Sequence, residues 1–347
     1  MKIKIGGKLI GAGNPCFIIA EAGVNHNGKL SLAKKLIDKA KEAGVDAVKF
    51  QTFKAENIVT KEAKQAKYQT KNIGKKESQF AMLKRLELSY ADFRNLKKYC
   101  DRKKIIFLST PHSSKEDVDI VAELCPVIKI ASGDLTNLPF LKYIAKKDLP
   151  IILSTGMANL REVKEAVKTI LSINKKIILL HCTTNYPTPV NEVNLRAMFT
   201  MGEEFNLPVG YSDHTQGMEV SLAAAAMGAC VIEKHFTLNK KLPGPDHKAS
   251  LGPEELKAMV RGIRNIQAAL GDGTKKPTPS EMETAKVARK SIVAAKNIKK
   301  GTEIREDMLV IKRPGTGIAP KYFNEILGKK AKKDIKKEFL INWEQLL

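Results

Sequence analysis

Short apolar runs rich in β-branched residues recur along the chain as far as residue 238, and amphipathic stretches separate them. The runs are FIIAEAGV (17–24), DAVKFQTF (46–53), IIFLST (105–110), VIKIAS (127–132), PIILST (150–155), IILLHCTTN (177–185), PVGYSD (208–213) and CVIEKHFTL (230–238). Each is too short and too rich in Val and Ile for a helix, and each is apolar on both faces, as a strand of a parallel sheet must be. The stretches between them, such as LSLAKKLIDKAKEAG, space their apolar residues at helical intervals, and Gly44 ends that one. Strand and helix alternating eight times predict a (β/α)8 barrel. An open doubly wound sheet is the other architecture considered, but no G-x-G-x-x-G follows the first strand.

Polar residues enter these runs in a regular way. Successive side chains of a strand point to opposite faces. Lys49 and Gln51 therefore share a face opposite Val48 and Phe50, Lys129 opposes Ile128 and Ile130, and Glu233 and His235 oppose Ile232. By the same reading Ser212 and His214 oppose Tyr211, and His181, Thr183 and Asn185 oppose Leu180 and Cys182. Glu21, Thr110 and Ser154 close the remaining strands. The pattern predicts polar groups gathered on the barrel interior at the C-terminal rim, with His181 pointing inward but deeper. Barrel active sites are built on that rim.

Outside the barrel, two short apolar runs around Gly6 and Gly7 read as a hairpin within residues 1–12, not as a signal peptide. The segment 54–90 is a long insertion after the second strand, where functional loops occur. After a barrel ending at residue 270, GDGTKKPTPSEMETA (271–285) reads as a linker. Residues 286–347 form a compact, basic, β-rich module with the runs SIVAAK, MLVIKR and FLINW.

Composition narrows the function. With 43% hydrophobic and 28% charged residues and no apolar run of membrane-spanning length, a soluble cytoplasmic protein is expected. Five cysteines form no C-x-x-C pair and read as buried free thiols in a reducing compartment. The net charge of +23 raises nucleic acid as a partner, but aromatics are only 6% of residues and no aromatic-interleaved stripe for stacking bases is present. A lysine-rich solvated surface is the preferred account, and nucleic-acid and membrane partners are not expected.

The rim carries its own chemistry. Lys49 and Lys129 with Thr110, Ser132, Ser154 and Ser212 match a phosphate and a carboxylate; a lysine forming an imine with substrate remains the alternative. His214 and His235 end neighbouring strands, within reach of one Lewis-acid metal such as Mn²⁺. Two hydrogen-bonded structural histidines are the alternative there.

IAEAGVNHNG, AVKFQTF, QFAMLKRLELS, IKIASGDLTN, LSTGMA, LHCTTNYPTP, GYSDHT, EKHFTL, PGPDHKASL and KRPGTGI occur in this order. Together they resemble the N-acetylneuraminate (sialic acid) synthases and their legionaminic and pseudaminic acid relatives over nearly the whole chain. The resemblance implies a TIM barrel followed by a small antifreeze-like (SAF) domain at 286–347. The implied reaction condenses phosphoenolpyruvate with an N-acetylated hexosamine, giving a nonulosonic acid and phosphate. Phosphoenolpyruvate would be held by Lys49, Thr110, Lys129, Ser132, Ser154, Asn185 and Ser212. The sugar would meet Gln51, Tyr186, Asp246 and Arg313, and Glu21, Asp134 and His235 would serve catalysis. His214 and His235 would bind a divalent cation, Mn²⁺ first, with Mg²⁺ and Co²⁺ as the other candidates. A domain-swapped homodimer is implied as well. Asp134 stands where many synthases carry Glu, and Gly252 also departs from the usual pattern. Both departures bear on the sugar, and PGPDHKAS is similar to the sialic and legionaminic branches. A 2-keto-3-deoxy sugar-phosphate synthase and a non-catalytic carbohydrate-binding protein are the competing readings.

Overall fold

A computed structural model describes residues 1–74, 77–112 and 114–347. The chain divides into two compact units, Met1–Gly271 and Asp272–Leu347. The first unit opens with an antiparallel hairpin of Ile3–Ile5 (β1) and Lys8–Ile10 (β2). Eight parallel strands follow: Phe17–Gly23 (β3), Ala47–Thr52 (β4), Ile106–Pro111 (β5), Ile128–Ile130 (β6), Ile151–Ser154 (β7), Ile177–Cys182 (β8), Val209–Asp213 (β9) and Val231–His235 (β10). They are hydrogen-bonded in the order β5-β4-β3-β10-β9-β8-β7-β6, and β5 and β6 lie side by side, so the sheet rolls into a nearly closed barrel. Every expected barrel strand is present; seven are trimmed by one to three residues at one or both ends of the apolar run that predicts them, and β5 keeps its length but begins and ends one residue later.

The barrel's interior changes character along its axis. At the N-terminal end Phe17, Ile19, Ala47, Leu108, Ile152, Ile178, Leu180 and Val231 form an apolar plug, which Ile3, Ile5 and Ile10 of the hairpin seal. Two residues further along the same faces come Glu21, Lys49, Thr110, Ser154, Cys182 and Glu233. The period-2 rule that packs the plug thus delivers the polar rim. Outside the barrel, Ile18, Val48, Phe50, Phe107, Ile128, Leu153 and Tyr211 pack against the helices. The helix Leu30–Ala43 is representative. It buries Ala33, Leu36, Ile37, Ala40 and Ala43 on one face, and Gly44 ends it in a left-handed conformation (φ 80°) that glycine adopts without strain.

Strand β8 differs from its expected facing. Leu180 belongs to the interior plug and Cys182 to the rim, so His181 lies on the helix side. There its Nε2 bonds the Val193 carbonyl at 2.7 Å and its ring stands 5.7 Å from that of Tyr211. The run IILLHC is apolar on both parities, so its one polar residue misleads. A neutral imidazole with a backbone partner is at home between barrel and helices.

The insertion after β4 is not an open loop. It folds into helices Ala55–Ile58, Lys67–Ile73 and Gln79–Leu86, of which the last buries Met82 and Leu86; Lys75 and Lys76 lie outside the described residues. In the second unit, Ser291–Ala294 (β11) pairs antiparallel with Leu309–Lys312 (β12). The expected strand FLINW contributes only an isolated bridge, Leu340 to Val293. The core of this unit is aliphatic, with Ile292, Ile304, Ile318, Ile326, Ile335 and Ile341 at its centre. The stretch expected as a linker, 271–285, runs into a helix, Pro279–Ala288. Thr278 caps it through the Glu281 amide, and Pro279 sits where no amide hydrogen is needed. Among the described residues no helix is long and apolar enough to cross a membrane.

Candidate active site

At the C-terminal ends of the strands a small cavity of about 120 Å³ brings together side chains from all eight strands or the turns after them. Glu21, Lys49, Gln51 and Thr110 line one side, Lys129, Ser132 and Ser154 another, and Tyr186, Ser212, His214 and His235 the third. A larger cavity, about 720 Å³, opens at the opposite end of the barrel around Lys8, Asp46, Lys97 and Lys104. Lys8 and Lys97 there are already paired with Asp46 and Asp101. The smaller cavity is the chemical one, because its charges are buried and converge.

Four of those charges form one cluster. Lys49 Nζ lies 2.7 Å from Glu21 Oε2, 3.7 Å from Glu233 Oε2 and 3.0 Å from Thr110 Oγ1. Lys129 Nζ donates to Ser154 Oγ at 2.7 Å and lies 3.3 Å from Glu233 Oε1, which also accepts from Ser212 Oγ at 3.0 Å. The environments separate the two carboxyls. Burial, with Glu233 behind it, outweighs Lys49 and pushes Glu21 up to about 7. Burial opposes the charge of Glu233 too, but Lys129 and Lys49 overcome it and hold that carboxyl down at about 2. The lysines also diverge. Burial works against the charge of both; Glu21 and Glu233 nevertheless hold Lys49 above its ordinary value, whereas burial prevails at Lys129 and lowers it. The rim is thus a nearly neutral set of two cations and two carboxyls, one of which can gain or lose a proton near neutral pH.

The two histidines are arranged as ligands can be. His214 Nδ1 donates to the Thr183 carbonyl at 2.8 Å, which fixes the ring's orientation. Burial works against its charge, but Cys182, 3.6 Å from Nδ1, and the Thr183 carbonyl hold this imidazole above its ordinary value. A cation bound at Nε2 would therefore displace a proton. His235 Nδ1 is buried without a hydrogen-bond partner. Burial, then His214 and Lys49, keep this imidazole neutral. The ring centroids are 5.5 Å apart, and the Tyr186 ring lies 4.2 Å from that of His214. Among the described residues no group of three or more His, Cys, Asp and Glu assembles as a ligand set. A divalent cation would take these two nitrogens from the protein and its other ligands from water or substrate. An orphaned imidazole nitrogen beside a ring of fixed orientation fits that role.

Some expected residues lie elsewhere. Asn185 faces the neighbouring cavity around Met157 and Arg196, and its Oδ1 accepts from the Tyr186 amide. Asp134 does not line the small cavity; its carboxylate stands 3.8 Å from His112 Nδ1, too far for a hydrogen bond. Burial, reinforced by Lys49 and Lys129, lowers His112 to about 4, so the pair is not ionic. Asp246 is buried in the loop after β10, where burial raises it to about 6 against the pull of His214. Arg313 is exposed at the end of β12 in the second unit.

The cavity also holds His112, Cys182, Thr184 and Glu233, to which sequence reading assigns no role. Cys182 Sγ lies 3.6 Å from His214 Nδ1 and 3.7 Å from Ser132 Oγ. Ser132 Oγ accepts from the Gly156 amide at 3.0 Å. A Cβ on Gly156 would come within 2.1 Å of Thr184 Oγ1 and 2.8 Å of Ser132 Oγ, so a side chain there would displace both hydroxyls from their places at the rim.

The loop that carries Asp246 is fastened by a second histidine pair. His247 bonds Thr237 Oγ1 at 2.7 Å and Asn27 Oδ1 at 3.2 Å, while His26 Nδ1 accepts from the Gly28 amide and its Nε2 is buried without a partner. Burial lowers both imidazoles to about 4. Below the ordinary value near 6.5 the unfolded chain takes up protons that the folded chain refuses until about 4. Stability from this source is complete above about pH 6.5 and is lost as pH falls toward 4. His26→Asn keeps an acceptor for Gly28 and removes one titrating group. It should flatten the pH dependence of the unfolding free energy between about pH 4.5 and 6 by about 1 kcal/mol per pH unit. A slope equal to that of the unaltered protein would show that folded His26 takes up its proton freely.

Comparison with known proteins assigns the chain. Residues 36–275 match the NeuB family and residues 289–347 the SAF domain. The chain is 53% identical over 328 residues to the N,N'-diacetyllegionaminic acid synthase of Campylobacter jejuni, covering 93% of this chain and 98% of that protein. It is 47% identical over 350 residues to the synthase of the same name from Legionella pneumophila, covering 99% and 98%. The crystal structure of N-acetylneuraminic acid synthetase from Leptospira borgpetersenii, in complex with citrate, superposes with a TM-score of 0.72 at 35% identity, over 82% of this chain and 95% of that one. The NeuB match spans most of the barrel and the SAF match the second unit, and the chain belongs to the NeuB family.

Proposed function

We propose that this protein is a phosphoenolpyruvate-dependent nonulosonic acid synthase whose acceptor is a 2,4-diacetamido hexose, with N,N'-diacetyllegionaminic acid or a close relative as product. The observation that carries the reading is the pairing of two buried lysines and their hydroxyl partners with two histidines on one barrel rim. The acceptor is inferred from the two diacetyllegionaminic acid synthases, 53% and 47% identical to the chain.

In this reading Lys49 and Lys129, with Thr110, Ser154 and Ser212, bind the phosphate and carboxylate of phosphoenolpyruvate, and Lys49 exchanges its contact with Glu21 for one of the substrate's anionic groups. Glu233, held ionised between them, fixes both ammonium groups where the anion arrives. Glu21 has the proton affinity to take a proton from the water that adds to C2 and to return it later. A divalent cation on His214 and His235, Mn²⁺ in the first instance, would supply Lewis-acid polarisation of the sugar aldehyde. Tyr186 and Gln51 border the same space and would orient the sugar. Five buried free cysteines suit the reducing cytoplasm.

The deciding assay measures phosphate release from phosphoenolpyruvate and Mn²⁺ with a 2,4-diacetamido hexose, N-acetylmannosamine or its 6-phosphate. The diacetamido sugar should give the highest kcat/KM, by at least about tenfold, as expected when buried polar groups of the site lose their partner. A preference for either N-acetylmannosamine substrate would overturn the acceptor assignment, and no release with any sugar would overturn the function.

We further propose a homodimer in which Arg313 serves the partner's barrel, donating its planar fork to an N-acetyl carbonyl. Arg313→Ala and His214→Ala chains, each nearly inactive alone, should regain activity when mixed and allowed to exchange. Half of the sites in a mixed dimer then join an intact barrel to an intact second unit. Mixed dimers that form and stay inactive would exclude the shared site.

A further inference from the structure

The motifs GYSDHT and EKHFTL contain two charged residues, Asp213 and Lys234, that the catalytic reading leaves without a task. Both side chains have no solvent exposure, and Lys234 Nζ lies 2.9 Å from Asp213 Oδ2. They are register partners on neighbouring strands, Lys234 opposite Asp213. Each immediately precedes one of the two rim histidines, so the pair sits on the helix side of the sheet, directly behind the site. A fully buried ion pair adds little net stability, because desolvation consumes most of what attraction returns; its best-attested use is to fix a register.

The contacts here do fix one. Asp213 Oδ1 accepts from both the amide and the hydroxyl of Thr215, at 2.8 Å each. This closes a turn whose middle residue is His214. Asp213 Oδ2 accepts from Ser221 Oγ at 2.6 Å, tying the turn to the helix Glu219–Ala226. Lys234 Nζ donates to the Thr215 carbonyl at 2.6 Å, so the residue before His235 grips the residue after His214. Thr215 and Ser221 are themselves fully buried.

We propose that the Asp213–Lys234 pair is a positioning device for the metal site: an ionic knot behind the sheet that sets the separation and orientation of His214 and His235. The inference rests on the reading of those two histidines as the metal ligands, and it concerns residues that touch neither metal nor substrate. Metal ligation tolerates little displacement, and loss of a residue that orients a ligand typically costs about 10- to 100-fold in affinity.

Asp213→Asn alone strands a buried ammonium and threatens the fold. The primary variant is therefore Asp213→Asn/Lys234→Met, which removes both charges at similar volume, with Ser221→Ala as a milder second variant. Mn²⁺ affinity is measured on the full-length protein by the electron paramagnetic resonance signal of free Mn²⁺, alongside thermal unfolding and phosphoenolpyruvate binding in the absence of metal. His214→Ala serves as the reference for a lost ligand. The expected result is Mn²⁺ affinity at least about tenfold weaker in the double variant and about threefold weaker in Ser221→Ala. Phosphoenolpyruvate affinity should stay within about twofold, and the spectrum of bound Mn²⁺ should be altered. If the double variant folds and binds Mn²⁺ as tightly as the unaltered protein while His214→Ala does not, the knot has no positioning role. If the double variant fails to fold, Ser221→Ala decides by the same measure. If His214→Ala also binds Mn²⁺ normally, the ligand assignment itself fails and this inference with it.

Discussion

In the His214→Ala/His235→Ala double variant, phosphate release should fall by about a thousandfold or more, and stringent removal of metal from the unaltered protein should do the same. Polarisation of a carbonyl by a divalent cation supplies several kcal/mol of transition-state stabilisation, and each 1.36 kcal/mol is worth about tenfold in rate. Two features of the site make these histidines the holders of that cation. His214 is held in one orientation by the Thr183 carbonyl, and His235 is neutral with an unpartnered buried nitrogen. Removing both rings leaves the lysine cluster in place, so phosphoenolpyruvate should still bind. Readdition of Mn²⁺ should restore the stripped protein and leave the double variant inactive. Full activity without metal, or in the double variant, would refute this assignment.

Lys129→Met should raise the KM for phosphoenolpyruvate by about a hundredfold and leave the KM of the sugar nearly unchanged. Lys129 is buried, with Ser154 Oγ at 2.7 Å and Glu233 Oε1 at 3.3 Å. Its loss removes a cation from the anion site and leaves Glu233 facing the incoming phosphate or carboxylate with only Lys49, 3.7 Å away, to offset it. Truncating one member of such a buried charged set costs about 2–5 kcal/mol, and the lower part of that range gives the hundredfold. Burial also lowers Lys129, so imine formation with substrate, the other chemistry open to a buried lysine, needs a direct answer. Borohydride added during turnover should leave Lys49 and Lys129 unmodified. A trapped adduct on either would replace anion binding with covalent catalysis.

The barrel was legible because each strand is buried on both faces, which leaves a continuous apolar run with a polar residue at its end. Where a charged residue alternates with strong apolar neighbours, as at Lys49, Lys129 and Glu233, the run also reveals which face looks inward. In IILLHC no such contrast exists, and His181 and Cys182 exchange places between expectation and structure. Cys182 escapes notice for a second reason, since a thiol counts as apolar by type and only its contacts with His214 and Ser132 make it part of the rim. The role of Glu233 depends on lysines 184 and 104 residues away in sequence, a proximity that strand order creates and periodicity cannot report. His112 follows the proline that ends β5, outside any alternation. Asp134 sits in the short 3-10 turn after β6, outside strand alternation, and Asp246 on a loop held by long-range contacts such as His247 to Asn27. The helix in the expected linker had a local signal, Thr278 and Pro279 followed by Glu281, which the Gly- and Lys-rich residues before it obscured.

Phosphoenolpyruvate carrying ¹⁸O in the bridging C–O–P position, incubated with Mn²⁺ and a 2,4-diacetamido hexose, tests the central claim most directly. If the rim condenses the two substrates and expels phosphate from a tetrahedral C2, mass spectrometry will show a nine-carbon keto acid without the label and inorganic phosphate that carries it. Label in the keto acid, or labelled phosphate released with no nine-carbon product, would contradict the account.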